Sequence, residues 1–114
     1  VEQHLAAYGT PPDLWAAGGM MAAIMVVEGL EETLGDASAE ALIPVYEADF
    51  TFDGPKGPVM IRPYDHVALQ NLYFVEVDNV TDPDLKFVNL VREFSLDETA
   101  PPCQLPEAYA DRCP

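Results

Sequence analysis

The hydrophobic pattern changes character several times along the chain. Val1 to Tyr8 reads as the last turns of a helix, with Gly9 as a left-handed stop. Thr10-Pro11-Pro12-Asp13 then breaks the chain and opens the next helix, because proline fits only the first turn and an acid suits the positive end. From Leu14 to about Leu34 the pattern is helical and ends at Gly35. Its first half, Leu14 to Val27, is a run of 14 residues with no polar face. A helix apolar all round has to be surrounded by protein. A membrane span needs about 20 such residues, so the run reads as a buried helix rather than a transmembrane one. The second half is amphipathic, with Val27, Leu30 and Leu34 opposite Glu28, Glu31 and Glu32.

Asp36-Ala37-Ser38 caps a shorter helix expected over Ala39 to Ala48, kinked or tightened at Pro44. Phe50-Thr51-Phe52 and Val59-Met60-Ile61-Arg62 flank the turn Asp53-Gly54-Pro55-Lys56-Gly57, which predicts a hairpin. Pro63-Tyr64-Asp65-His66 is a loop. Leu72 to Val77 is a strand, and Asp78 to Asp84 a turn. Leu85 to Phe94 reads as a further strand, with a short helix as the alternative. Ser95 to Pro114 is a polar, Pro-rich tail. The expected division is therefore 1–94 as one folded part and 95–114 as a tail, with no internal repeat and no linker that splits the chain.

Length and charge sharpen this picture. The 114 residues suffice for one modest domain, and 49% hydrophobic residues argue against disorder. Enclosing the Leu14–Val27 run from every side would need more partner surface than so short a chain supplies, which marks it as part of something larger. Val1 opens the chain with neither a Met nor a targeting segment, as expected of a processed chain or a fragment. Twenty acidic against five basic side chains give a net charge of −15. Such a surface repels phosphate backbones and anionic lipid heads, so nucleic-acid binding and membrane-surface docking are disfavoured. Cys103 and Cys113 are compatible with one disulfide in an oxidising compartment or with two free thiols in the cytosol. No second cysteine pair or nearby histidine completes a zinc site, and no metal or cofactor is expected.

Candidate chemistry is sparse. Asp65-His66 is the one adjacent Asp/His pair, but no nucleophile motif accompanies it, and neighbours on an extended segment face opposite ways. His66 is therefore expected to bond locally, and His4 to be solvated. Asp82-Pro83-Asp84 lacks the alternating donors, central glycine and distal glutamate of a calcium loop. Asn79-Val80-Thr81 matches a glycosylation sequon, a three-residue signal that matters only in a eukaryotic secretory protein. The glycines around Lys56 are explained by turn chemistry. More informative are Gly18 and Gly19 at a helix start, where each costs about 1 kcal/mol relative to alanine. Either another element or a ligand approaching bare backbone would justify them, and Trp15 and Met20 beside them offer an aromatic plate and an adaptable apolar contact.

The order of these elements resembles the closing segment of the type I periplasmic binding proteins, the branched-chain amino-acid-binding receptors of ABC transporters and their relatives. The residues that carry the resemblance are Tyr8-Gly9-Thr10-Pro11-Pro12-Asp13-Leu14-Trp15-Ala16-Ala17, the apolar helix ending Glu28-Gly29-Leu30-Glu31-Glu32, and Phe52-Asp53-Gly54-Pro55-Lys56-Gly57-Pro58-Val59, similar to an F-x-G-P-x-G-x-V element. Pro63 to Gln70, with Asp65-His66-Val67-Ala68, is similar to the family's D-H-x-A segment. The likeness runs over about Val1 to Asn79 and more loosely into the tail.

What the resemblance implies is an α/β fold of two doubly wound lobes joined by a three-stranded hinge, of which this chain would be the closing part. It implies a periplasmic or extracellular receptor with no enzymatic activity. Its partners would be a small-molecule ligand, the permease subunits of the transporter, and the remaining lobes. The helix start, Trp15 with Gly18, Gly19 and Met20, falls where the family's helix approaches the ligand cleft. An apolar mouth there suits an apolar or aromatic carboxylate, whose charge would meet unpaired N–H groups. Many relatives carry Tyr-Asp or Tyr-Ala where this helix has Met20-Met21, so that aromatic contact is missing. The alternatives are an acidic structural or interaction module that buries its apolar helix by oligomerising, and a ligand-sensing regulator of the same fold.

Overall fold

Local chemistry sets each helix boundary. A computed structural model describes all residues 1–114. Helix α1, Glu2–Tyr8, ends at Gly9, whose φ of 72° is the left-handed conformation a glycine stop provides. Helix α2, Leu14–Glu32, starts where Asp13 accepts the Ala16 N–H at 2.8 Å. Helix α3, Ala39–Tyr46, is capped by Ser38, which Asp36 in turn orients through the Ser38 N–H at 2.9 Å. It runs through Pro44 and stops two residues before the expected Ala48. Glu47 and Ala48 tighten into a turn there, and Asp49 follows with φ of 53°.

Strands β1, Thr51–Gly54, and β2, Gly57–Ile61, form the expected hairpin, closed by Pro55 and Lys56 alone. Gly57 leaves the turn at φ 102°, which only glycine adopts without strain. Strand β3, Ala68–Gln70, adds to β2 antiparallel, giving the order β1-β2-β3. It was not anticipated, because three residues are too few to show alternation.

Strands β4, Leu72–Val77, and β5, Val88–Phe94, make a separate antiparallel ribbon with an irregularity between Phe74 and Val75. The second strand begins at Val88, not Leu85. The turn consumes the difference, since Leu85 takes φ 62° and donates to Asp82 O while Lys86 donates to the Asp82 side chain.

The tail is more regular than its composition suggests. Leu96–Thr99 forms a helical turn, α4, behind a capping box in which Ser95 and Glu98 bond reciprocally. Glu107–Arg112 is a 3-10 helix.

Packing joins α2 to the hairpin. Met21 and Gly29 are buried on α2, and Met25 between them packs partly. The spacing of four places all three on one face, where the two methionines pack on the Phe52, Val59 and Ile61 cluster and Gly29 lies under Tyr46. Tyr46 crosses from α3 to donate to Met25 O at 3.3 Å. This cluster and Leu69 are all the buried apolar core, and 7 of 114 residues are buried in all.

Most of the remaining surface of α2 is bare. Leu14, Trp15, Met20, Val26 and Val27 are exposed, as are nearly all apolar side chains of β4 and β5 on both faces. A strand apolar on both faces belongs inside a sheet covered on both sides. The radius of gyration is 17.2 Å, against about 13 Å for a compact domain of this length. The accessible surface is 8134 Å², where a folded monomer of 12.5 kDa would expose about 6,200 Å². That excess of about 2,000 Å² exceeds what one partner contributes to an ordinary protein interface.

Candidate functional site

The start of α2 is built by the break before it. Two prolines hold the chain extended and Asp13 ends it, so α1 folds back beside the first turns of α2. His4 stacks on Tyr8 with ring centroids 4.7 Å apart, and its Nδ1 lies 2.8 Å from Thr10 O, so the sequence expectation of a solvated His4 is replaced by a local anchor.

Between the two helices lies an open groove of about 720 Å³, lined by His4, Tyr8, Pro12, Ala16, Ala17 and Met20 among others. Of the four residues singled out in the sequence, Met20 is the one that lines it. Gly18 lines a smaller cavity of about 220 Å³ between α2 and the sheet, with Met21, Phe52, Lys56 and Gln70. Trp15 is 82% exposed, and a Cβ at Gly18 or Gly19 would meet nothing within 4 Å. At about 100° per residue Trp15 and Gly19 share the outward face, Gly18 turns toward the sheet-side cavity, and Met20 faces the groove. The helix start is partly used: the Ala16 N–H goes to Asp13, which leaves the Leu14 and Trp15 N–H groups for an outside acceptor.

A second constellation surrounds the Asp65-His66 pair. Arg62 and Asp65 form a buried ion pair, their side chains 7% and 4% exposed, with Arg62 Nε donating to Asp65 Oδ1 at 2.8 Å and Nη2 to Oδ2. The guanidinium holds the Asp65 carboxyl below its ordinary range, against the opposing effect of burial. Arg62 Nη1 also donates to Pro101 O at 2.7 Å. His66, at φ 57°, faces Glu47 through Nε2 at 2.9 Å, and Arg112 reaches the same Glu47 Oε1 and Pro63 O. Bonds from His66 and Arg112 lower the Glu47 pKa.

These groups are spent on one another. They tie the tail to the body. Cys103 and Cys113 are disulfide-bonded, with Cα atoms 5.7 Å apart. Sequence reasoning did not find Arg62, Glu47 or Arg112, because Arg62 reaches Pro101 across 39 positions and Arg112 reaches Glu47 across 65. No group of three His, Cys, Asp or Glu side chains is placed to hold a metal ion.

The sequence pattern of the periplasmic binding proteins matches residues 1–82, and the chain belongs to that family. Its fold is that of part of a periplasmic binding protein, as the order of elements implied.

Among solved structures it is similar to an ABC-type branched-chain amino acid transporter protein of Rhodopseudomonas palustris CGA009, at 36% identity over 86% of this chain and 26% of that one, with a TM-score of 0.71. A solute-binding protein of an ABC transporter from Rhodopseudomonas palustris BisB5, in complex with 3,4-dihydroxybenzoic acid, is 28% identical over 84% of this chain and 26% of that one, with a TM-score of 0.73. An amino acid ABC transporter substrate-binding protein of Pseudomonas fluorescens Pf-5 shares the fold at 17% identity, with a TM-score of 0.69 over 100% of this chain and 28% of that one. The chain spans about a quarter of the length of each. No curated protein matches it.

Proposed function

We propose that the chain is the closing part of the solute-binding component of an ABC transporter, which captures a small ligand by hinge closure and delivers it to permease subunits. Membership of the family over residues 1–82 carries this reading. The two better-matched structures support a substrate-binding role: one is described as a branched-chain amino acid transporter protein, the other holds a dihydroxybenzoate. The ligand class is an amino acid or an apolar or aromatic carboxylate. Capture changes no covalent bond, and closure stabilises one arrangement of the lobes through contacts absent from the open state.

In this reading residues 1–94 belong to the ligand-binding domain and 95–114 form its tail. The remaining lobes cover the outward face of α2 and both faces of the β4–β5 ribbon. Helix α2, 19 residues long, is apolar and long enough to cross a membrane by those two criteria. It is instead a lobe helix, because Met21 and Gly29 are packed on the sheet and α3 and the family match runs through it. The compartment is periplasmic, in keeping with the disulfide.

Trp15, Gly18, Gly19 and Met20 are proposed to face the ligand or the closing lobe. The test is calorimetric titration of the complete receptor with benzoate, dihydroxybenzoate and leucine, before and after Trp15→Ala. We expect affinity to fall about tenfold or more. Unchanged affinity for every ligand that binds removes Trp15 from the site.

The large excess of exposed surface favours a second reading, in which the chain buries α2 against copies of itself. Light scattering over a concentration series separates the two. A stable oligomer with α2 protected supports self-association, and a monomer with α2 open supports the receptor reading.

A further inference from the structure

The disulfide-closed end of the chain is attached to the body at both ends of its ring, and both attachments converge on the loop Arg62–His66. Just before Cys103, the Pro101 carbonyl accepts from Arg62 Nη1 at 2.7 Å. Just before Cys113, Arg112 donates to Pro63 O at 3.1 Å and to Glu47 Oε1, the oxygen that also holds His66 Nε2. The 3-10 helix that presents Arg112 lies inside the ring, and the Cys113 N–H closes its last turn on Ala110 O. The loop so gripped is unusual in its backbone: His66 sits at φ 57°, and its N–H returns to Arg62 O at 2.9 Å. A non-glycine residue in that region persists when its surroundings over-determine it.

We propose that the Cys103–Cys113 ring is a redox-dependent clasp: oxidised, it holds Arg112 against Glu47 and Pro63 and fixes the Arg62–His66 loop; reduced, it releases them while the β1–β2–β3 sheet stays folded. The release is a thiol–disulfide exchange with a dithiol reductant. One reductant thiolate attacks a cysteine sulfur, and the S–S bond breaks. The partner cysteine leaves as a thiolate and takes up a proton. The second reductant thiolate then attacks the reductant sulfur of the mixed disulfide and expels the remaining cysteine as a thiolate, which is protonated in turn, so the dithiol becomes a disulfide as the two cysteines are reduced. Freed of closure, residues 104–112 regain a wide ensemble in which Arg112 seldom meets Glu47. The two anchors differ in kind. Arg62 is buried and paired with Asp65 in either state, whereas Arg112 depends on the ring for its position.

The test is hydrogen exchange of the full chain with and without dithiothreitol, read peptide by peptide. On reduction the amides of 64–67 are expected to exchange about tenfold faster, with those of 52–61 unchanged. The Cys103→Ser/Cys113→Ser chain should reproduce the reduced pattern without reductant. Arg112→Ala, left oxidised, should loosen His66 and Val67 while the disulfide remains. Exchange at 64–67 indifferent to reduction overturns the proposal, as does a uniform rise along the chain, which would make the bond a general stabiliser. Oxidised Arg112→Ala indistinguishable from the parent would also overturn it.

Discussion

Three glycines on one helix provide a sharp test of how this chain is packed. Gly29 lies under Tyr46: a Cβ there would meet Tyr46 Cζ at 2.8 Å, with the hydroxyl closer still. Tyr46 is poorly free to retreat, because its ring sits edge-on to Phe50 at 5.2 Å and its hydroxyl bonds Met25 O. Forcing a methyl into such a contact costs about 1–3 kcal/mol, with about 1 kcal/mol more for a strained hydrogen bond. Alanine returns about 0.5–1 kcal/mol through helix propensity. Gly29→Ala is thus expected to destabilise by about 1–3 kcal/mol, whereas Gly18→Ala and Gly19→Ala, with nothing within 4 Å, stabilise the lone chain.

In a Tyr46→Ala background the obstruction is gone and Gly29→Ala should change sign. Hydrogen-exchange protection of the α2 amides, read as local opening free energies, measures all of these without requiring a two-state melt. Gly29→Ala raising protection in the parent chain would refute the packing argument. So would a cost that survives removal of the Tyr46 ring. In the complete receptor the sign for Gly18 and Gly19 is expected to reverse, since a covering lobe or ligand would then occupy the open space.

Two further outcomes follow from the charges and the bare surface. The carboxyls of Asp65 and Glu47 titrate below their ordinary values because the folded chain bonds their ionised forms. A depressed folded pKa adds stability above the unfolded value, lost as pH falls through about 4 and below. Asp65→Asn should therefore be less stable than the parent at pH 7 and converge with it near pH 2, in denaturant midpoints taken across that range. Parallel curves would contradict this, and self-repulsion among the remaining acids cancels in the difference. The 114-residue chain alone should melt broadly and bind an apolar-surface dye. A sharp two-state transition without dye binding would show that α2 and the ribbon find cover within this chain.

The helices and the hairpin were legible because their signals are local. Asp13, Ser38 and Gly9 each act within four residues, and the Gly/Pro cluster around Lys56 fixes its own turn. The failure of α2 to find a polar face was equally legible, and the exposed Trp15, Val26 and Val27 show its consequence. The capping box Ser95-x-x-Glu98 is a local signal too, masked by the prolines that make the tail look irregular. By contrast β3 is too short to announce itself, and Leu85 looks like strand until Asp82 takes its N–H. The grip of Arg62 on Pro101 and of Arg112 on Glu47 was beyond sequence reasoning. Long-range pairing of single charges leaves no periodic trace, and twenty acids offer many equivalent partners for five cations. As for the proposed ligand contacts, the helix start was placed correctly as an element, while its four residues point to different surroundings.

Leu72-Tyr73-Phe74-Val75-Glu76-Val77 is six residues long, rich in strand formers, free of proline and glycine, and interrupted by a single charge. Both edges of the ribbon also lie open to further strands. Such segments are the seeds of cross-β stacking whenever many copies meet. Glu76 therefore acts as a gatekeeper: stacked in register, its carboxylates would repel at every 4.8 Å or so along a growing fibril. Until this ribbon is enclosed, one carboxylate and the acidity of its neighbours stand between solubility and fibre.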